Sequence, residues 1–157
     1  MKVKGVNPET GEEFEAEADQ VDNDFIDSML DFKLTDEDIR KLIDNLNVSA
    51  DVKSLLYAFS KATIKVGQFV LKIGRKIIDF VCMLFKEYPN AIFGMIFGAI
   101  AGFLISTIPV LGVVLGPIAG PIFMVFGGGK GLQEDIKDKE LGRRVAEINA
   151  KFSPLNA

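Results

Sequence analysis

The chain has no histidine and no tryptophan, one cysteine and only two tyrosines among 157 residues. Without histidine it lacks the commonest general base and metal ligand at neutral pH. A single thiol, Cys82, excludes an internal disulfide and any Cys/His metal spacing. Cys82 sits in an apolar helical run and reads as a small buried hydrophobe. The acids Asp22, Asp24, Asp27, Asp31, Asp36 and Asp38 lack the glycine and closing glutamate of a calcium loop. Gly127-Gly128-Gly129-Lys130-Gly131 has no Ser or Thr after the lysine, so it is not a phosphate loop. The expectation is a protein without cofactor or metal and not an enzyme. An acidic first third without a basic-aromatic platform argues against nucleic acid.

A further absence is local. From Tyr88 to Gly129 there is no Lys, Arg, Asp or Glu, although charged residues make up 25% of the chain. The charges are segregated elsewhere. Residues 1–48 carry five basic and fourteen acidic side chains; residues 49–89 carry seven and three; the tail from Lys130 carries six and five. The amino terminus is strongly acidic and has no apolar core of a signal peptide.

Residues 1–48 read as an acidic head. Lys2 to Val6 and Glu13 to Glu17 alternate apolar and charged around Asn7-Pro8-Glu9-Thr10-Gly11, which predicts a β-hairpin. Two short helices follow: one from Asp22 or Asn23 to about Phe32, and one capped by Thr35 with acids in its first turn. Ser49 caps a predicted long basic amphipathic helix over 49–89, with Leu56, Phe59, Val66, Ile73, Ile77 and Leu84 on its apolar face.

The uncharged block, 90–129, divides at Ser106-Thr107-Ile108-Pro109. Ala91 to Ile108 would span about 27 Å as a helix, close to the roughly 30 Å of bilayer hydrocarbon. Val110 to Gly129 is of similar length. The fold class expected is therefore a mainly α membrane protein: a two-helix transmembrane hairpin after a long amphipathic helix, with the head in front. Residues 130–157 form a charged amphipathic tail. Ser106, Thr107 and Pro109 make the hairpin turn.

Glycines recur every four residues in both segments: Gly94, Gly98 and Gly102, then Gly112, Gly116 and Gly120. Such rows make side-chain-free grooves for close helix packing, within the hairpin or between subunits. Pro117 and Pro121 each delete a backbone donor and favour a kink. Lys61, Lys65, Lys72, Arg75, Lys76 and Lys86, with Lys130, Arg143 and Arg144, flank the block and suit lipid headgroups, placing both termini in the cytoplasm.

The leading expectation is a small integral membrane protein, a homo-oligomer assembled through glycine rows, that forms a pore or perturbs the bilayer. The alternative is a membrane-anchored structural or adaptor protein whose acidic head docks a basic partner or scaffolds a membrane-containing particle. A third reading is a toxin-like protein that shields its hairpin and inserts on a trigger. An apolar hairpin sheltered by amphipathic helices is similar to the pore-forming colicin arrangement, over residues 50–129, and that resemblance implies the third reading.

Overall fold

The computed structural model describes residues 1–30, 34–126 and 138–156. Asp31, Phe32, Gly127 to Gly131, Ile136 and Lys137 lie outside them, and with them part of the expected headgroup set, Lys130.

Alternation in the first residues gives strands β1 (Lys2–Val6) and β2 (Glu13–Glu17), paired antiparallel with Lys2 opposite Glu17 and Val6 opposite Glu13. The turn is held by Asn7, which is buried; its Oδ1 accepts the backbone N–H groups of Glu9 (2.9 Å) and Thr10 (3.3 Å). Gly11 takes a φ of 75° that a side chain would resist. Helix α1 (Asn23–Leu30) is capped by Asp22, and α2 (Asp36–Asp44) by a reciprocal Thr35–Asp38 capping box.

The long helix expected over 49–89 does not form. The chain makes α3 (Ala50–Ser60), a second hairpin of β3 (Thr63–Val66) and β4 (Phe69–Leu71), then α4 (Ile73–Glu87). The reason is local. Thr63-Ile64-Lys65-Val66 is β-branched and alternates buried with less buried positions, a period of two that passes for one helical face over a short window. Gly67-Gln68 closes the hairpin, and Gly67 at φ 60° is the first central residue of a two-residue turn. The four strands make one antiparallel sheet in the order β2-β1-β3-β4.

The uncharged block folds as α5 (Phe93–Phe97), a π turn at Gly98–Gly102, α6 (Phe103–Thr107) and α7 (Pro109–Val125), reversing at Ile108. No helix among the described residues is long and apolar enough to cross a membrane. This corrects the fold class: the chain is an α/β fold built on a four-stranded sheet, not a two-span membrane hairpin. The localisation in a bilayer with two spans, and the transmembrane and pore readings, fall with it. The absence of charge has another cause. Leu111, Val114, Leu115, Ala119 and Ile122 on α7, and Ile96, Phe97, Ile100, Ala101 and Leu104 on the arm before it, are fully covered by protein.

The cover is the sheet on one side and helices on the others. Val3, Ile64, Val66 and Leu71 face inward and are buried, while Lys2, Lys65, Glu13, Glu15 and Glu17 are exposed on the outer face. The sheet reaches α7 at Gly5, where an added Cβ would stand 2.4 Å from Val114 Cγ2 and 2.8 Å from Val110 Cγ2. A chain of edge and tilted ring contacts links the layers: Phe59 of α3 to Phe97 (5.5 Å), and Phe97 to Phe123 of α7 (5.5 Å). Helix α8 (Lys139–Lys151) lies over the hairpin and is anchored by Phe152, which is buried and sits edge-on to Phe80 of α4 at 6.0 Å.

Pro117 and Pro121 lie inside α7, which continues through both. Each interior proline costs about 3 kcal/mol, whereas each fully buried Val, Leu or Ile returns about 1.5–3 kcal/mol. Six such side chains on α7 are at most 1% exposed, among them Val110, Leu111 and Val114, so burial outweighs the prolines. Both rings are exposed, where water can reach the carbonyls left without a donor.

One contact point is set by backbone. A Cβ on Gly74, at the start of α4, would stand 2.0 Å from the carbonyl oxygen of Phe59 at the end of α3. Gly74→Ala should destabilise the fold by about 2–3 kcal/mol despite alanine's better helix propensity, because neither backbone can yield cheaply. Chemical denaturation measures it, and an unchanged midpoint would refute the close approach.

Candidate functional site

The flanking cations expected to share one headgroup-binding side are distributed over several elements. Lys61 lies 4.4 Å over the ring of Tyr57. Arg75 pairs with Asp36 at 3.5 Å and donates to the carbonyl of Leu34 at 3.3 Å. Asp36 also accepts the Tyr57 hydroxyl at 2.6 Å, and that hydrogen bond holds its carboxyl below the usual range, with Arg75, Lys61 and Arg40 helping. This cluster joins α2, α3 and α4. Lys76 donates to the carbonyl of Ser28 at 3.3 Å. Arg144 of α8 pairs with Glu87 of α4. Lys65 is exposed on the outer sheet face beside Lys4, and Lys72, Lys86 and Arg143 are exposed on other elements.

The two glycine rows part company. The first faces its own hairpin: Gly94 lies under Phe126, with 2.8 Å from an added Cβ to the ring, Gly98 is buried, and Gly102 meets Phe123 at 3.7 Å. In the second, Gly112 approaches the carbonyl of Ile105 across the turn, at 2.9 Å from an added Cβ. An added Cβ on Gly116 or Gly120 meets nothing within 4 Å among the described residues. Ser106 and Thr107 close α6 by donating to the carbonyls of Gly102 (2.7 Å) and Phe103 (2.8 Å), and Pro109 opens α7.

Gly116 and Gly120 belong to a longer stripe. Pro109, Val113, Pro117, Pro121 and Met124 fall at the same three- and four-residue spacing on the solvent side of α7, all neutral. Met124 is 73% exposed and Ile92, near the same end of the hairpin, is 69% exposed. Because prolines have no N–H, the carbonyls of Val113 and Pro117 lack their usual partner four residues on, and they lie in this stripe. Sequence reasoning found the glycines and prolines as separate features. Their common face was legible from the spacing.

On the far side of the hairpin, α6 and α8 leave a groove of about 450 Å³. Ala99, Phe103 and Thr107 line one wall, and Val145, Asn149 and Ser153 the other. No charged side chain among the described residues lines it. Asn149 Nδ2 donates to the carbonyl of Ala99 inside the π turn at 3.2 Å, while its Oδ1 is buried without a partner. The sequence carried no signal for this groove, since the π turn and the docking of α8 that create it depend on tertiary packing.

Burial pushes the Cys82 thiol up to about 12, and the nearby Asp79 carboxylate adds to it, so the thiol is not a nucleophile. Among the described residues no three His, Cys, Asp or Glu side chains converge on a metal position. No protein-family model, curated protein or solved structure matches this chain.

Burial on α4 also holds the Asp79 carboxyl above its ordinary range, although Lys76 and Lys86 oppose the shift. A raised acid binds its proton more tightly in the folded chain, so stability falls as pH rises through the interval above the unfolded value. Asp79→Asn should therefore be more stable than the parent at about pH 7 and indistinguishable at about pH 3, where both states are protonated. Thermal melts across that range test it, and a less stable variant at neutral pH would reverse the assignment.

Proposed function

We propose that this protein is a self-associating assembly module, whose contact surface is the neutral stripe of α7 and whose partner is a second copy of the same stripe. The observation that supports it most is the pair Gly116 and Gly120, open on the outward face and flanked by the exposed Pro117, Pro121 and Met124. Two bare glycine faces allow helix backbones to approach more closely than a bulky partner would, and a second copy of the stripe supplies such a face.

Charge supports the choice of partner. The stripe offers no ion to a basic or acidic protein, whereas the rest of the chain carries 18 basic and 22 acidic side chains. A twofold contact sets each patch against itself, so a neutral face is complementary without charge pairing. Backbones brought close at glycine can exchange Cα–H···O contacts, and the carbonyls of Val113 and Pro117 are acceptors that the helix leaves free for them. Membrane insertion has no part in this reading.

Gly116→Leu and Gly120→Leu test it, because each side chain enters open space in the monomer and fills the approach between copies. The parent should sediment as a dimer at about 100 µM, with each variant shifted to monomer by tenfold or more in dissociation constant. Melts of both variants should match or exceed the parent's, since leucine is a better helix former than glycine. A parent that is monomeric at that concentration, or leucine variants that still dimerise, would sink the proposal.

A further inference from the structure

The sheet ends on two unlike edges. Strands β1 and β3 are paired on both sides, whereas β2 and β4 each have one neighbour in the sheet. Phe69, Val70 and Leu71 make up β4, while β2 alternates glutamate with Phe14 and Ala16. The direction of the β2 backbone follows from its hairpin. Ala18 N–H donates to the carbonyl of Met1 at 3.0 Å, and Asn7 N–H donates to the carbonyl of Glu12 at 2.8 Å. Hydrogen-bonded pairs with β1 therefore fall at Glu12, Phe14, Ala16 and Ala18. The N–H and C=O groups of Glu13, Glu15 and Glu17 point the other way, out of the sheet, and among the described residues no hydrogen bond reaches them.

The same three residues are exposed on the outer face of the sheet. Their partners in β1 show what such a row accepts. Lys2 stands opposite Glu17 and Lys4 opposite Glu15, and Lys4 Nζ reaches Glu13 at 2.8 Å. Val3, between the two lysines, is buried on the inner face, where Phe14 and Ala16 are half-buried. A strand that alternates basic and apolar residues is thus matched to β2 in backbone, charge and packing, and it occupies one side of β2 only.

Charge selects the occupant of the other side. A second β2 in antiparallel pairing would set glutamate against glutamate, and like charges directly opposite are unfavourable. In a second copy β1 and β3 have no free side, and β4 contains no cation. We infer that the β2 edge binds an extended segment of another protein as a fifth, antiparallel strand, with Lys or Arg at alternate positions and apolar residues between them. In that register each basic residue exchanges N–H···O=C bonds with Glu13, Glu15 or Glu17 and lays its cation beside the same glutamate. The intervening apolar side chains extend the inner face beyond Phe14 and Ala16. The edge is separate from the α7 stripe, which lies on the solvent side of that helix.

The probe is a fluorescein-labelled nonapeptide of alternating lysine and valine, with lysine at both ends, titrated against the full chain by fluorescence anisotropy. Its binding should saturate at one peptide per chain. An isomer with its five lysines contiguous should bind at least tenfold more weakly. Methylation of the central lysine's amide nitrogen removes a donor aimed at β2 and should cost tenfold or more, whereas methylation of a valine amide, which points away, should change affinity less than twofold. Glu15→Gln should weaken binding about threefold, and Gly116→Leu should leave it unchanged. No saturable binding, or equal affinity for the contiguous isomer or the lysine-methylated peptide, would overturn strand addition. Binding lost in Gly116→Leu would overturn the site. Excess peptide that splits a dimer of the parent would give the edge to a second copy and overturn the choice of partner.

Discussion

The structure depends on one constraint: a helical hairpin without a charge must be covered, and most of its cover comes from chain segments distant in sequence. Helix α7 is wrapped by the first β-hairpin, by α3 and by its own partner arm, with Gly5 of β1 permitting the closest approach. Remove any layer and apolar surface of roughly 25 cal/mol per Å² is returned to water. The outer elements are amphipathic for this reason. Val3 and Val66 turn inward where Lys2 and Lys65 turn outward, and α8 directs Leu141, Val145 and Ile148 to the hairpin while Lys139, Arg143 and Glu147 remain exposed.

Electrostatics ties these layers together at their margins. Polar and charged side chains pair across elements: Arg75 of α4 and Tyr57 of α3 with Asp36 of α2, and Glu87 of α4 with Arg144 of α8. These are partly exposed contacts and add little stability one by one. Their value is geometric. They fix α2 against α3 and α4, and α8 against α4, which sets the width of the groove between α8 and α6.

Two identical glycine patterns serve different ends. Gly94 and Gly102 let the first arm lie against Phe126 and Phe123, so the groove they make is filled by aromatic rings of the same chain. Gly116 and Gly120 face away and remain bare. A spacing of four defines a stripe but not the direction in which it points. That direction depends on which side of α7 the sheet covers.

Several features follow from residues close in sequence. The alternation of Lys2–Val6 and Glu13–Glu17, the Asn7–Gly11 turn, the Thr35–Asp38 capping box and the Ser49 cap are short-range, and the residues alone determine them. The reversal near Pro109 is of the same kind. Two things were not local. Thr63 to Leu71 could satisfy a helical or a strand period, and pairing of β3 with β1 settled it, at Val3 opposite Val66. Absence of charge over 42 residues established only that much of the segment is kept from water. Whether lipid or protein excludes it is a question of what else packs nearby, and the answer came from a sheet and two helices brought in from both ends of the chain.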